Sequence, residues 1–358
     1  MPSTIGTIAS QAIPHDLILL AHNSSPFISV YTWNPRGASQ GWGTKYANPA
    51  SLPAGNGYKI VMHPSGKSIA ITHFTTPFVS AYAWTYSGGF GSKYSDPSPV
   101  VTKASVSNGE GIAFSPDGND FIYSYFGGGS ANPPYFNAHA WTNSSGFGTQ
   151  YSNPATQTTS DAGTIQWSPS GADIVIPAAS TGTTSATAYP WSSGFGTKYA
   201  NPATANGGRG VAWAPNGNDV LMGNVPSSGT ERIVAYTWSS GWGTKYSAPA
   251  TPPAGNVSMV DWNPTGSAVG CSHFTTPFTT AYPWSAGFGT KYADPASLPL
   301  LGGFSFKWSK REGKDLAVGF DSSPRIYVYP WSSGFGTKYA DPATLPPAVV
   351  RGIDWYRG

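Results

Sequence analysis

One sequence element recurs seven times along this chain, and it limits the fold more than any other feature. An aromatic-x-Trp segment, followed by Gly-aromatic-Gly-Thr-Lys-Tyr and then Pro, sets tryptophans at Trp33, Trp84, Trp141, Trp191, Trp238, Trp284 and Trp331. Their spacings are 51, 57, 50, 47, 46 and 47 residues. A second element precedes a Pro-x-Gly turn or its degenerate form and carries Met62, Phe114, Trp167, Trp213, Trp262, Trp308 and Trp355. The two tryptophans outside these sets, Trp42 and Trp242, fill the aromatic slot of the Gly-aromatic-Gly element. Periods of about 40 to 50 residues are the mark of propellers and arrays, in which each unit buries its apolar face only against a neighbour.

Each period divides into four short strands, as in Gly210–Trp213, Asp219–Met222, the segment ending Tyr236-Thr-Trp238, and Gly243–Tyr246. Pro-Asn-Gly (215–217) and Pro-Asp-Gly (116–118) between apolar runs are turns, because Pro presets φ and Gly accepts positive φ. Composition agrees: only 10% of residues are charged, and Glu110, Glu231 and Glu312 are the only glutamates, too few for exposed helix faces. The expected fold is all-β, a seven-bladed β-propeller of four-stranded antiparallel blades. Gly352-Ile-Asp-Trp355 matches an inner strand at the C-terminus, and His15–Leu20 begins like a second strand. One blade is therefore expected to be shared between the termini, which removes an exposed sheet edge. The alternative is a first inner strand at 7–10. Residues 1–14 are read as an N-terminal extension or extra strand and 15–358 as a single propeller.

The Ser115-Pro-Asp-Gly118 and Ser168-Pro-Ser-Gly171 turns after an aromatic strand resemble those of WD-repeat-like propellers, although the Gly-His and Trp-Asp dipeptides are absent. The stretch Tyr189-Pro-Trp-Ser-Ser-Gly-Phe-Gly-Thr-Lys-Tyr-Ala-Asn-Pro-Ala203 looks like repeats of propeller proteins encoded by tailed bacteriophages. The resemblance covers almost the whole chain. It implies a virion or virus-associated interaction module and brings no catalytic residue.

In a repeat protein, function is sought where the repeat is broken. Four connections between second and third strands are short and alike: His22 to Phe27, His73-Phe74 to Phe78, His273-Phe274 to Phe278, and 320–325 ending in Arg325. Three consecutive ones are longer: Phe126 to Tyr135 and Phe136, 179–187, and 226–232 ending in Arg232. These connections share one face, which is expected to be lopsided and to contact a partner. Loop drift without consequence is the plainer reading. The same histidines invite a metal reading, but corresponding points of different blades spread around a ring. Turn caps and pH-sensitive contacts are the other readings, and no metal or cofactor is expected.

Six repeats carry a lysine in one slot, Lys45, Lys93, Lys198, Lys245, Lys291 and Lys338, with Gln150 in the seventh. Edge protection competes there with binding of a sulfated or phosphorylated polymer. One residue before the inner-strand aromatic, three adjacent blades have Asp261, Lys307 and Asp354, so that Lys307 stands between two carboxylates as a structural network or a channel ligand site.

Enzyme motifs fail individually. Ser65-Gly-Lys-Ser68 lacks the leading Gly of a phosphate loop, Ser115–Asp120 lacks the bidentate Glu of a calcium loop, and the Ser-x-Asp-x-Gly-x-x-Trp box of propeller sialidases is missing. Cys271, the single cysteine, reads as a buried inert thiol.

The sequence expectation is therefore a non-enzymatic structural or interaction protein, a bacteriophage virion component such as a tail, capsid-decorating or host-adhesion module. Its partners would be other virion proteins or a host surface receptor or glycan. A carbohydrate-binding lectin and an intracellular propeller scaffold are the alternatives. The net charge of +3 with scattered Lys and Arg does not favour nucleic acid, and no run of about 18 apolar residues suggests membrane insertion. The start at Met1-Pro-Ser-Thr-Ile-Gly lacks a signal peptide's basic and apolar regions, so the expected location is the virion after synthesis in a host cytoplasm, or otherwise the soluble cytoplasm. The sequons at Asn23, Asn143 and Asn256 are read as chance.

Overall fold

The computed structural model describes residues 15–35, 40–101, 106–127, 135–158, 161–178, 186–202, 208–226 and 231–357. The N-terminal extension, the alternative first strand at 7–10, and most of the three long connections lie outside these residues.

The described strands form seven antiparallel sheets in a ring. The blade numbered 1 is shared between the termini: the C-terminal strand Val350–Tyr356 is innermost, followed by Asp16–His22, Ile28–Asn34 and Gly41–Lys45. Leu19 pairs with Asp354 and Ile18 with Trp355, so the last strand is stitched to the first. Arg311 adds an ion pair to Asp16 at 2.9 Å across this closure.

Blades 1, 2, 3 and 5 have four strands, whereas blades 4, 6 and 7 have three. In those three the expected outer strand shrinks to single bridges, Trp191 with Phe195, Trp284 with Phe288, and Trp331 with Phe335. The cause is one residue. Trp191 N–H donates to Ala172 O, just before the second strand, so alternation turns the nitrogen of residue 190 toward the outer strand. That residue is Pro190, and its counterparts are Pro283 and Pro330, which have no N–H to give. The four-stranded blades have Thr32, Ala83, Ala140 and Thr237 there.

The repeated aromatics couple the blades. Each Gly-Thr-Lys-Tyr tyrosine, or its equivalent, packs edge-on against the third-strand tryptophan of the next blade: Tyr46 on Trp84 at 4.8 Å, Tyr151 on Trp191 at 5.0 Å, and Tyr339 on Trp33 at 5.0 Å across the closure. Within blades, the inner-strand tryptophan meets the third-strand one, as in Trp213 with Trp238 at 4.9 Å. Edge-to-face rings at these distances add about 0.5–1.5 kcal/mol beyond area burial, and seven such seams make the ring rigid. Inner strands run very close together. A Cβ at Gly352 would lie 2.7 Å from Tyr58 O and 2.8 Å from Lys59 Cα, so only Gly allows blades 1 and 2 to meet there.

Candidate active site

The inner strands line a central channel, and five of them carry a register shift near their first residues, at Gly57/Ile60, Gly109/Ile112, Val257/Met259, Gly303/Ser305 and opposite Ala21/His22. Such bulges set two residues against one and re-aim a side chain. In blades 2, 3, 7 and 1 they present Tyr58, Glu110, Phe304 and Arg351, each four positions before the inner-strand aromatic, at the mouth of the channel. Arg209 holds the same position in blade 5, just ahead of the unshifted strand Val211–Trp213. The mouth is on the face of the links between blades.

Glu110 is the centre. It is 2% exposed, and its oxygens accept hydrogen bonds from Tyr58 Oη at 2.9 Å and Asn108 Nδ2 at 2.9 Å. Arg209 Nη1 donates to Tyr58 Oη at 3.3 Å and stands 3.9 Å from Glu110. Lys59 Nζ donates to Arg351 O at 2.7 Å. Burial, with help from the Arg351 and Arg209 charges, lowers the Lys59 ammonium to about 7 against the opposing pull of Glu110. The Arg351 guanidinium lies over Phe304 at 4.5 Å and over Tyr58 at 5.7 Å, and its Nε donates to Asn23. A buried carboxylate, two guanidiniums, a phenol and an amine near its titration point thus share one mouth. These are groups fit for general acid–base work and for holding a developing negative charge.

Of the sequence-predicted binding residues, three form an aromatic collar around this cluster. Phe74 packs on Tyr58 at 5.7 Å, Phe126 lies under the Arg209 guanidinium at 5.7 Å, and Phe274, 44% exposed, packs on Phe304 at 5.2 Å. The others are not gathered there. Tyr135 and Phe136 are buried in the core and Arg232 is half-buried. Phe27, Phe78, Phe278 and Arg325 hold left-handed backbone, with φ of 67, 69, 67 and 73°, at the ends of four equivalent turns. Arg325 Nη1 donates to Pro346 O.

His22, His73 and His273 are completely buried beneath these turns. Nδ1–H of His22 donates to Ser24 O at 2.8 Å, so its Nε2 accepts from the Ser29 hydroxyl at 3.0 Å. The Nε2 atoms of His73 and His273 meet the hydroxyls of Ser80 and Thr280 at 3.0 and 2.9 Å. Burial lowers all three to about 4, and among the described residues no cluster of three metal-binding side chains occurs.

Each lysine of the slot is individually engaged, four of the six by a carboxylate. Lys45 and Lys198 donate to Asn48 and Asn201. Lys93, Lys291 and Lys338 pair with Asp96, Asp294 and Asp341, and Lys245 with Glu231 at 2.7 Å. Burial pushes the Cys271 thiol well up, away from reactivity. At the opposite end of the channel, Lys307 Nζ meets Asp261 at 2.7 Å, while Asp354 pairs with Lys310 at 3.3 Å. That charged end follows ordinary strand alternation, whereas the Glu110 mouth does not. Its signal in the sequence is the recurrence of charge at one repeat position, Glu110, Arg209 and Arg351, which a period of two sends to the opposite face.

No family model matches the chain, and no curated protein matches it. Solved structures do. A putative 6-phosphogluconolactonase from Bacteroides fragilis NCTC 9343 superimposes with a TM-score of 0.69 at 14% identity, covering 100% of both chains. The periplasmic gluconolactonase of Pseudomonas aeruginosa gives 0.67 at 12% identity over 96% of this chain and 99% of its own. A putative 6-phosphogluconolactonase from Bacteroides uniformis ATCC 8492 gives 0.64 at 14% over 96% and 99%. At these identities the likeness shows the fold, a seven-bladed propeller. It lends nothing to the WD-repeat or phage resemblance. The expectation of a non-enzymatic virion component, with its lectin and scaffold alternatives, is corrected here, because these propellers bear the names of lactonases. No local enzyme motif marks this mouth, because it draws single residues from separate blades.

Proposed function

We propose that the protein is a hydrolase acting on a small lactone, with Glu110 as its central catalytic residue. The observation that carries this reading is the hydrogen-bonded Tyr58–Glu110–Arg209 group beside Lys59 at the channel mouth; the names of the similar propellers support it. Between these side chains there is room of about 10 Å³, enough for one water.

In this mechanism the Glu110 carboxylate takes a proton from that water as its oxygen bonds to the lactone carbonyl carbon. The resulting oxyanion is held by the Arg209 and Arg351 guanidiniums. Collapse breaks the ring C–O bond, and the departing alkoxide takes a proton from the Lys59 ammonium, which Glu110 then restores. Lactone and water become a hydroxy acid. Tyr58 and Asn108 orient Glu110, and the collar of Phe74, Phe126 and Phe274 excludes bulk water.

The test is a pH-stat assay of the purified chain on glucono-δ-lactone and 6-phosphoglucono-δ-lactone, set against spontaneous hydrolysis. Acceleration that disappears in Glu110→Gln is expected. Rates equal to the uncatalysed reaction on both compounds would sink the reading.

A further inference from the structure

The catalytic cluster nearly fills its own mouth. About 10 Å³ remains under Phe274, Phe304 and Arg351, whereas the channel beneath encloses about 340 Å³, within the range of about 300–1,000 Å³ typical of small-ligand sites. Lys59, Thr164 and Met259 line both spaces and form the boundary between them, with Glu110, Arg209 and Arg351 on the side of the smaller one. The larger space runs on to Pro116, Pro169, Pro215 and Lys310, on the turns of the opposite face.

Its wall is asymmetric. Val61, Ala113, Gln166 and Ala212 leave one side uncharged, while Asp261, Lys307 and Asp354 charge the other. Both aspartates already have work in the fold. Asp261 Oδ2 accepts from Trp308 N–H and Asp354 Oδ2 from Met62 N–H, each at 2.9 Å, tying one inner strand to the next. Their other oxygens face Lys307 and Lys310. An ammonium carries three donors, and Asp261 is the acceptor that Lys307 meets. Burial opposes the charge on Lys307, but Asp261 and Asp354 outweigh it and hold the side chain protonated.

We infer that this channel is the substrate chamber of the Glu110 cluster, that its ligand is a small organic anion, and that the ligand enters from the turn face past Lys307 to meet Lys59. This rests on the hydrolase reading for its catalytic end only. Space selects the route, since the other mouth admits no more than a water. Charge selects the ligand: three lysines face the lumen, and the two carboxylates are engaged by backbone N–H groups and by two of those lysines. Lys59 is faced by Glu110 from blade 3, Arg209 from blade 5 and Arg351 from blade 1, beside Tyr58 of its own strand. An incoming anion adds to the pull of Glu110 and raises the proton affinity of that ammonium. Binding therefore takes up protons at and above about pH 7, and affinity falls as pH rises through that value.

The probes are D-gluconate and inorganic phosphate, titrated calorimetrically into the full chain, into Lys307→Met, and into Ala212→Phe, which plugs the lumen. Gluconate is expected to bind with proton uptake, to weaken about tenfold or more (~1.4 kcal/mol) in Lys307→Met, and to be lost in Ala212→Phe. Phosphate binding alone would mean a bare anion site and would overturn the substrate-chamber assignment. Binding of neither probe, or equal binding by wild type and both variants, overturns it as well. If Ala212→Phe does not fold, Ala113→Leu narrows the same ring and is read in its place. Lactone hydrolysis that survives the plug with unchanged KM would refute the route and leave the activity standing. Gluconate binding in the lumen without hydrolysis would refute the activity and leave the chamber standing.

Discussion

The indole N–H of Trp191 donates to Asp120 Oδ2 at 3.0 Å across the seam between blades 3 and 4. Tyr151 of blade 3 donates to the other oxygen at 2.6 Å, so one carboxylate fastens its own blade and the next. Asp173 does the same for Tyr199 and Trp238, and Asp315 for Tyr339 and Trp33 at the ring closure. Asp16, the equivalent in blade 1, turns to Arg311 instead. Trp84, which it would serve, has a buried Nε1 without a hydrogen-bond partner.

Asp120→Ala removes two charge-assisted bonds and strands a buried indole, at about 1.5–3 kcal/mol for each bond to a charged group. A loss of about 3 kcal/mol in urea unfolding is expected, with Asp120→Asn intermediate. An unchanged midpoint for Asp120→Ala would show that ring packing alone holds the seam.

The three buried histidines set an acid limit on stability. Their folded values of about 4 lie below the ordinary 6.5, so between those values the unfolded chain binds more protons than the folded one. Stability is then complete above about pH 6.5 and falls with acidification, with a slope of up to about 1.4 kcal/mol per pH unit for each histidine. Thermal midpoints at about pH 7 and pH 5 should differ clearly, and the difference should shrink in His73→Asn. Equal midpoints would refute the account.

Catalysis is expected to depend on Glu110 and Lys59 in different ways. Glu110→Gln keeps the Tyr58 contact but loses the base, and kcat/KM should fall about 100-fold or more without loss of fold. Lys59→Met should remove a limb of the pH–rate profile near 7. A profile with the same limb in Lys59→Met would assign that titration elsewhere.

Pro190→Thr returns an N–H to a position that faces the outer strand. Amide exchange should slow at residue 190 and its outer-strand neighbours as blade 4 gains the ladder that Thr32 and Thr237 permit in blades 1 and 5. Unprotected exchange at residue 190 would trace the short strand to the Ser193 turn, where φ is 54°.

The sequence by itself determined the number of blades, their closure through Val350–Tyr356, and the ring of tryptophans, because each follows from a period that chain-local residues must repeat to bury their own faces. It also held, unread, the loss of three outer strands, since a proline at 190, 283 and 330 has no donor whatever surrounds it. The Asp261, Lys307 and Asp354 end of the channel was legible because those side chains follow ordinary strand alternation. The Glu110 mouth was decided by the tertiary structure. Bulges at Gly57, Gly109, Val257 and Gly303 shift the register that alternation assumes. Only ring closure then brings Tyr58, Glu110, Arg209 and Arg351, from points along the chain nearly 300 residues apart, within reach of one another. That distance in sequence is why no motif announced them.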